Sequence, residues 1–309
     1  MTGLRPRAYA GITTMQNWDN QAIAEKLLEI ADLLEQQNAN PFRVNAYRRA
    51  ARTVTTHPEP LAGLAQREGA EGLDRLPTIG RSIALAIEEM LRTGRWQQLE
   101  RLRGTLDPEQ VFQSIPGIGP ELARRIHESL EIESLAELEQ SAHDGQLEQV
   151  SGVGPRRARM IGAALGQMLQ RRPARPRSPA AEPGVEVLLD VDREYREKAA
   201  RGKLRKIAPR RFNPAREAWL PILHTQRGDW HLTALFSNTA RAHDLGKTDE
   251  WVVLYFHTDH GPETQRTVVT ETTGSLAGRR VVRGRESECA KLLATPGRVK
   301  KAARSSVRV

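Results

Sequence analysis

Backbone amides placed to hold phosphate are the clearest chemistry in this chain, and three short phrases supply them. They read Leu76-Pro77-Thr78-Ile79-Gly80-Arg81, Ile115-Pro116-Gly117-Ile118-Gly119-Pro120 and Val150-Ser151-Gly152-Val153-Gly154-Pro155-Arg156-Arg157. In each, an apolar residue precedes a tight turn, and a helix studded with small residues follows. Glycine there permits positive φ and close backbone approach, and proline suits the first helical position. Such a turn leaves N–H groups free at a helix N-terminus with nothing bulky before them, which makes a phosphate-sized anion site. The expected contacts are Thr78, Ile79, Gly80 and Arg81, then Gly117, Ile118 and Gly119, then Gly152, Val153, Gly154, Arg156 and Arg157. Amides meet phosphates whatever the base, so the binding is expected to be independent of sequence. One Pro-Gly-x-Gly turn closes many ordinary helical hairpins. Three, at spacings of 39 and 35 residues between Gly80, Gly119 and Gly154, are specific.

A second group of residues lies late in the chain: His224, His231, His243, Asp244, Glu271, Arg283 and Glu286. Histidines with acids can bind a metal or activate water for phosphodiester cleavage, which makes His224, His243, Asp244, Glu271 and Glu286 the candidate catalytic set. Their spacing fits no metal motif, so no metal is assigned. His224 and His231 flank a hairpin and equally pair across strands, and His243 suits a helix C-terminus. His257-Thr258-Asp259-His260 reads as a polar hairpin turn. The run from Arg193 to Arg211 carries nine Lys or Arg against Glu194 and Glu197. Beside three phosphate-binding hairpins it is read as touching nucleic acid. Phe212 and the nearby tryptophans are candidates to stack on unpaired bases, with a core position the default for Trp219.

The chain has 309 residues, enough for more than one core, and a formal net charge of +9 that suits a polyanionic partner. That charge is unevenly spread. Residues 18–170 carry a net of −5 and residues 186–309 a net of +9. The first half must therefore use local amides and a few arginines, while the second supplies the long-range field. The lone Cys289 excludes an internal disulfide and fits a reducing, cytoplasmic setting. No apolar run is long enough to span a membrane, and the N-terminus lacks an apolar signal core.

The expected fold is multidomain: an all-α helix-hairpin-helix N-terminal half and a small α+β C-terminal domain. Residues 1–17 read as a disordered lead-in. From Asp19 or Asn20, as cap, Ile23, Leu27, Ile30 and Leu34 share a helix face, and Asn40-Pro41 opens a second helix. Residues 18–104 form the first helical domain, 105–170 a tandem hairpin domain, and 171–184 a basic proline-rich linker. Residues 185–297 form the α+β domain and 298–309 a basic tail. Strands are expected over 219–224, 230–236, 251–257 and 267–270, with 251–256 apolar on both faces and hence central. Turns are expected at Arg227-Gly228-Asp229 and Asp259-His260-Gly261. Ser237 or Asn238 is expected to cap a short helix, Asp190 to cap another, and residues 285–293 to form a last one.

Residues 19 to about 170 resemble the N-terminal half of family X DNA polymerases, the polymerase beta-like repair enzymes. The resemblance rests on Asn40-Pro41-Phe42-Arg43-Val44-Asn45-Ala46-Tyr47-Arg48-Arg49-Ala50-Ala51 and the first two hairpins, with a third hairpin like that of bacterial members. It implies that Arg43, Tyr47 and Arg48 line a pocket for the 5′ phosphate at a gap or nick. It also implies a Na⁺ or K⁺ held by backbone carbonyls near Ile79 and Ile118. Tyr47 on its own reads equally as a packed core aromatic. Two departures matter. The family's Schiff-base lysine has Ala86 at its position here, and Lys26 is the only lysine before Lys198, so lyase chemistry is expected to be lost. Asp190-Val191-Asp192 looks like a metal-binding carboxylate pair, but no Gly-Ser-x-x-Arg-Gly phrase precedes it and too few residues follow for a polymerase module. The expectation is a bacterial DNA-binding protein of repair whose partner is gapped or nicked duplex, with no membrane. The alternatives are a repair nuclease acting through the C-terminal domain and an adaptor that recruits a protein.

Overall fold

The computed structural model describes residues 18–105, 107–130, 132, 135–168 and 182–294. The lead-in, the basic tail and all of the linker before residue 182 lie outside them. Five helices come first: α1 (Asn20–Gln36), α2 (Pro41–Thr56), α3 (Leu61–Asp74), α4 (Arg81–Thr93) and α5 (Gln97–Arg103). The Asp19 carboxylate accepts the Ala22 N–H and Asn40 Oδ1 accepts that of Phe42, so both opening caps are side-chain caps. The tandem follows as α6 (Pro108–Gln113), α7 (Pro120–Leu130), α8 (Leu135–His143) and α9 (Pro155–Met168) around a core of its own.

The C-terminal region is α+β. Six strands run in chain order as one antiparallel sheet: β1 (Arg205–Ile207), β2 (Leu220–Arg227), β3 (Trp230–Phe236), β4 (Val252–His257), β5 (Thr264–Thr270) and β6 (Arg280–Val282). Three helices accompany it: α10 (Val185–Ala200), α11 (Ala240–Asp244) and α12 (Glu286–Ala294). Arg227 pairs with Trp230, so Gly228 and Asp229 form the two-residue turn the sequence indicated. Every residue of β4 is buried. Its alternation explains why: Val252, Leu254 and Phe256 join the core under α10 and α12, while Val253 and Tyr255 join the core of the first five helices. That second core also takes Ile207, Leu220, Ile222 and Leu235 from the sheet. The sheet is thus sandwiched between its own helices and the N-terminal ones.

Some expectations need correction. The Asp190 position is not a cap, because the apolar stretch from Val185 is already the first turn of α10 and Gly184 precedes it. Asp190 sits mid-helix and receives Arg193 and Arg227. Thr239, not Ser237 or Asn238, caps α11 through its hydroxyl. Strands β1 and β6, three residues each, are too short to show alternation and were not expected. Trp219 precedes β2 and is only partly buried.

Tyr195 fastens α10 to the sheet. Its hydroxyl donates to the Pro221 carbonyl at 2.9 Å and accepts the Phe236 N–H at 2.8 Å. Asp192, 1% exposed, is bound by Arg196 at 3.1 Å and by the Nε and terminal nitrogen of Arg280. A buried pair costs most when one partner is removed, since the other charge is left without compensation. Asp192→Ala is therefore expected to lower unfolding stability by about 3–5 kcal/mol. Urea denaturation measures it, and a loss under about 1 kcal/mol contradicts the assignment.

Candidate nucleic-acid interface

The three hairpins share one backbone design. The Ile79 N–H donates to the Leu76 carbonyl, that of Ile118 to Ile115, and that of Val153 to Val150, all between 2.9 and 3.2 Å. The carbonyls of Gly80, Gly119 and Gly154 then accept the N–H of Ala84, Ala123 and Ala158 and start α4, α7 and α9. Ile79, Ile118 and Val153 plug the core, so each turn is anchored from beneath. Positive φ falls two residues before the last glycine, on Gly117 and Gly152, both at 88°. In the first hairpin that place is Thr78, at 64°, a strained state for a β-branched residue. Its hydroxyl meets that of Thr53 on α2 at 2.8 Å. Gly80, Gly119 and Gly154 need no left-handed backbone. A Cβ added to any of them meets nothing within 4 Å, so their role is to leave the helix end bare.

Hairpins two and three pack reciprocally. A Cβ on Gly117 would lie 3.6 Å from Met160 of α9, and one on Gly152 would lie 3.0 Å from Arg125 of α7. Both hosts and both neighbours are related by the same 35-residue step, which gives an approximate two-fold arrangement. Guanidinium groups gather on the third turn. Arg125 donates to the Ser151 carbonyl at 2.9 Å and Arg157 to that of Gly152 at 3.0 Å. Arg156 is exposed and has no carboxylate partner among the described residues. Glu121 stands at the mouth of the second turn, but Arg124 holds it at 2.7 Å.

The first hairpin is different. The Ser82 N–H, in the first turn of α4, donates to the Asp259 carbonyl of the β4–β5 loop at 3.2 Å. The equivalent N–H groups of Glu121 and Arg156 have no acceptor among the described residues. Beside Ser82 runs a cleft of about 820 Å³ between α2, α4, the β4–β5 loop and α8. Tyr47, Arg81, Ala86, Arg101, His257 and Glu263 are among its walls. Tyr47 is buried, its hydroxyl donating to Gln98 Oε1 at 3.1 Å. Gln98 in turn donates to Glu263 at 3.0 Å, and Arg101 closes an ion pair on the same carboxylate. Burial alone lifts the Glu263 carboxyl, and Arg101 with His257 and Arg43 more than offsets it, leaving it below its usual range. Arg48 points elsewhere, onto Asp32 and Glu35 of α1. Tyr47 is therefore brought to the cleft wall, whereas Arg43 and Arg48 are not among the residues that line it.

The candidate catalytic residues are not gathered into one site. His224 ties the sheet to the helices, with Nδ1 on Thr233 at 3.0 Å and Nε2 on Gln37 at 2.9 Å. Burial, then Arg43 and Arg101, bring its pKa down to about 3, so it is neutral. His243 meets Asn238 at 2.7 Å beside α11, and Asp244 is exposed. Glu271 and Glu286 share Arg283 at the far end of the sheet. Among the described residues no cluster of three His, Cys, Asp or Glu is placed to hold a metal ion. The group that sequence reasoning missed is the one at the helix–sheet junction: His231 on Asp259 at 3.0 Å, the neighbouring His257 ring at 5.2 Å, and Glu263 on Arg101. Their proximity depends on packing between halves, which periodicity does not show.

Two measurements follow. Glu89 lies on the cleft wall and accepts the Gln97 N–H at 2.9 Å. Burial, reinforced by Glu263 and Glu100, raises its carboxyl to about 7. The folded chain then holds a proton that the unfolded chain releases near 4.5, so stability falls as pH rises from there toward 7. Glu89→Gln keeps the accepted bond and is expected to flatten thermal stability between about pH 5 and about pH 8, gaining about 1–2 kcal/mol at the upper end. An unchanged profile refutes this. Thr78→Gly removes the left-handed strain at the cost of an exposed hydroxyl pair, and a thermal melt is expected to show a gain of about 0.5–1 kcal/mol.

Residues 18–96 match the family described as helix-hairpin-helix domain, and residues 109–166 match the SAM-like helix-hairpin-helix tandem. The DNA polymerase/3'-5' exonuclease PolX of Bacillus subtilis (strain 168) is 26% identical over 145 residues, which cover 46% of this chain and 24% of that protein. The chain thus spans about a quarter of that curated relative. Its helical half is a set of helix-hairpin-helix domains similar to part of a family X DNA polymerase.

Proposed function

We propose that this chain is a DNA-binding protein of repair that holds nicked or gapped duplex by its backbone, without base specificity. The observation that carries the reading is the reciprocal pair of hairpins with bare helix ends at Gly119 and Gly154. The two backbones of a duplex run antiparallel and are themselves related by two-fold axes. Two anion sites in an approximate two-fold relation suit one phosphate on each strand. Arg125, Arg156 and Arg157 add charge where the amides point. Salt weakens such binding, as it does all phosphate contacts.

Preference for a gap or nick comes, in this reading, from the cleft that runs from α8 of the tandem to the first hairpin. Its volume is about 820 Å³, and Arg81 and Arg101 line it together with Glu88, Glu89 and Glu263. The Ser82–Asp259 contact gives way when a phosphate takes the helix end. A monovalent cation would sit on the carbonyls of Ile79 and Ile118, which accept no hydrogen bond among the described residues. Lyase chemistry needs an amine that can lose its proton. Among the described residues no lysine lines the cleft, and the position of interest is Ala86. The polymerase and exonuclease activities named for the Bacillus protein are not carried over to this chain.

The test is a panel of blunt, nicked and gapped duplexes titrated with the full chain. In Gly119→Val and Gly154→Val the added Cβ meets nothing within 4 Å, and both variants are expected to melt near the parent temperature. Each is expected to weaken binding to every duplex about tenfold, since a side chain displaces the phosphate from charge-assisted bonds. Parent affinity in both folded variants overturns the proposal. Equal affinity for all three duplexes removes the gap and nick preference.

A further inference from the structure

We propose that the loop after β1 is a stacking platform for an unpaired base, fed by a cationic track along the sheet edge. This rests on the nucleic-acid reading above, though not on the hairpins themselves. Phe212 is 49% exposed, and its backbone is in the left-handed region at φ 52°. A bulky aromatic held there is strained, and strain persists only where the surroundings impose it. Four residues on, Arg216 is also left-handed, at 54°. Buried Asn213 locks the loop between them: its Nδ2 donates to the Glu217 carbonyl at 2.8 Å and its Oδ1 accepts the Glu217 N–H at 3.1 Å.

The ring is supported from the protein side. His243 lies against it with centroids 4.3 Å apart and planes at 39°. The imidazole is fixed by Asn238 Oδ1 at 2.7 Å, and Asn238 Nδ2 donates to the Arg211 carbonyl at 3.2 Å. Trp219 meets His243 edge-on at 6.3 Å. The Arg211 guanidinium lies over the same ring, 5.1 Å from its centre, and is tied to Glu109 of α6 at 2.6 Å, so the platform adjoins the tandem and the ring surface left to a base is the exposed part. An aromatic backed this way, with about half of its surface still exposed, has the form of a base-stacking surface.

The cations around it sort into two kinds. Arg193, Arg196, Lys198 and Arg211 are all spent on carboxylates of the chain. Arg201, Lys203, Arg205, Lys206, Arg210 and Arg216 are exposed, with no carboxylate partner among the described residues. They run from the end of α10 through β1 to the Phe212 loop. Charge on an edge strand also discourages strand pairing. That need ends with β1, whereas the unpaired cations continue on both sides of it. A run of exposed, unpaired cations leading to an exposed ring fits a single strand: backbone on the cations, one base on Phe212.

Fluorescence anisotropy with the full chain tests this using oligo(dT), a blunt duplex, and the same duplex with a single-stranded extension. Phe212→Ala leaves the backbone requirement unchanged, because alanine is no more at ease at positive φ than phenylalanine. It is expected to weaken oligo(dT) binding about tenfold, abolish the gain from the extension and leave blunt duplex binding unaltered. Phe212→Trp is expected to restore the loss, and the pair Arg205→Glu, Lys206→Glu to weaken oligo(dT) binding with a shallower salt dependence. Parent affinity of Phe212→Ala for oligo(dT), or an equal loss on blunt duplex, overturns the platform. So does poly-glutamate that competes as well as oligo(dT), which would mark an unselective cationic surface. Failure of the hairpin reading shows separately, as unchanged duplex binding in Gly119→Val with the oligo(dT) results intact.

Discussion

Covering both faces of the sheet is the constraint from which the arrangement of this molecule follows. Strand β4 has apolar residues on each side, and water on either would cost the burial of Val253 and Tyr255 or of Leu254 and Phe256. Helices α10 and α12 cover one face, and the N-terminal helices cover the other. Several polar groups at that second contact are matched, although the buried Arg43 Nε and His257 Nε2 find no hydrogen-bond partner among the described residues. Glu263 takes Gln98 and Arg101, Arg101 lies 3.7 Å over the Tyr255 ring, and Gln37 joins His224 to the Leu102 carbonyl. Gly104, at φ 76°, lets Arg210 donate to its carbonyl at 2.6 Å where any Cβ would strike Ala208. The first five helices and the sheet are thereby fixed to one another.

That fixation makes three similar phrases into unlike sites. The backbone bonds of the turns repeat, yet only the first turn faces the β4–β5 loop, and there a carbonyl of the chain meets the amide that would meet a phosphate. A carbonyl is a weak rival to a dianion at a helix N-terminus, because it brings a dipole where the phosphate brings charge. Thr78 marks the same difference in the backbone. At the second and third turns glycine takes the left-handed position freely, whereas the first holds a threonine there and steadies it with Thr53.

Much of this was legible in the residues, for identifiable reasons. Caps at Asp19 and Asn40, the Gly228–Asp229 turn and the doubly apolar β4 are local signals, read within a few positions. The hairpins were legible through repetition. What escaped was set by distant packing. The apolar residues 185–189 look alike in a strand and in a first helical turn, so α10 began earlier than Asp190 suggested. Strands β1 and β6 are defined by their neighbours, with three residues each. His224 and His257 look like catalytic or turn residues in one dimension. Burial, and Arg43 close by, depress both imidazoles, the second to about 4, and make them neutral parts of a junction.

The charge division becomes intelligible in the same terms. A net of −5 over residues 18–170 repels a polyanion at a distance, and bare amides act only over the last few ångströms. Alone, the helical half would have contact sites without an approach. The unpaired cations from Arg201 to Arg216 supply attraction over about a Debye length. Attraction in one part helps contact in another only if the two keep a fixed geometry, since a free tether spreads the charged part over many orientations. The buried sheet face provides that geometry. The same packing that closes over the first hairpin therefore holds the cationic edge in place, and the Arg211–Glu109 ion pair joins that edge to the tandem at α6.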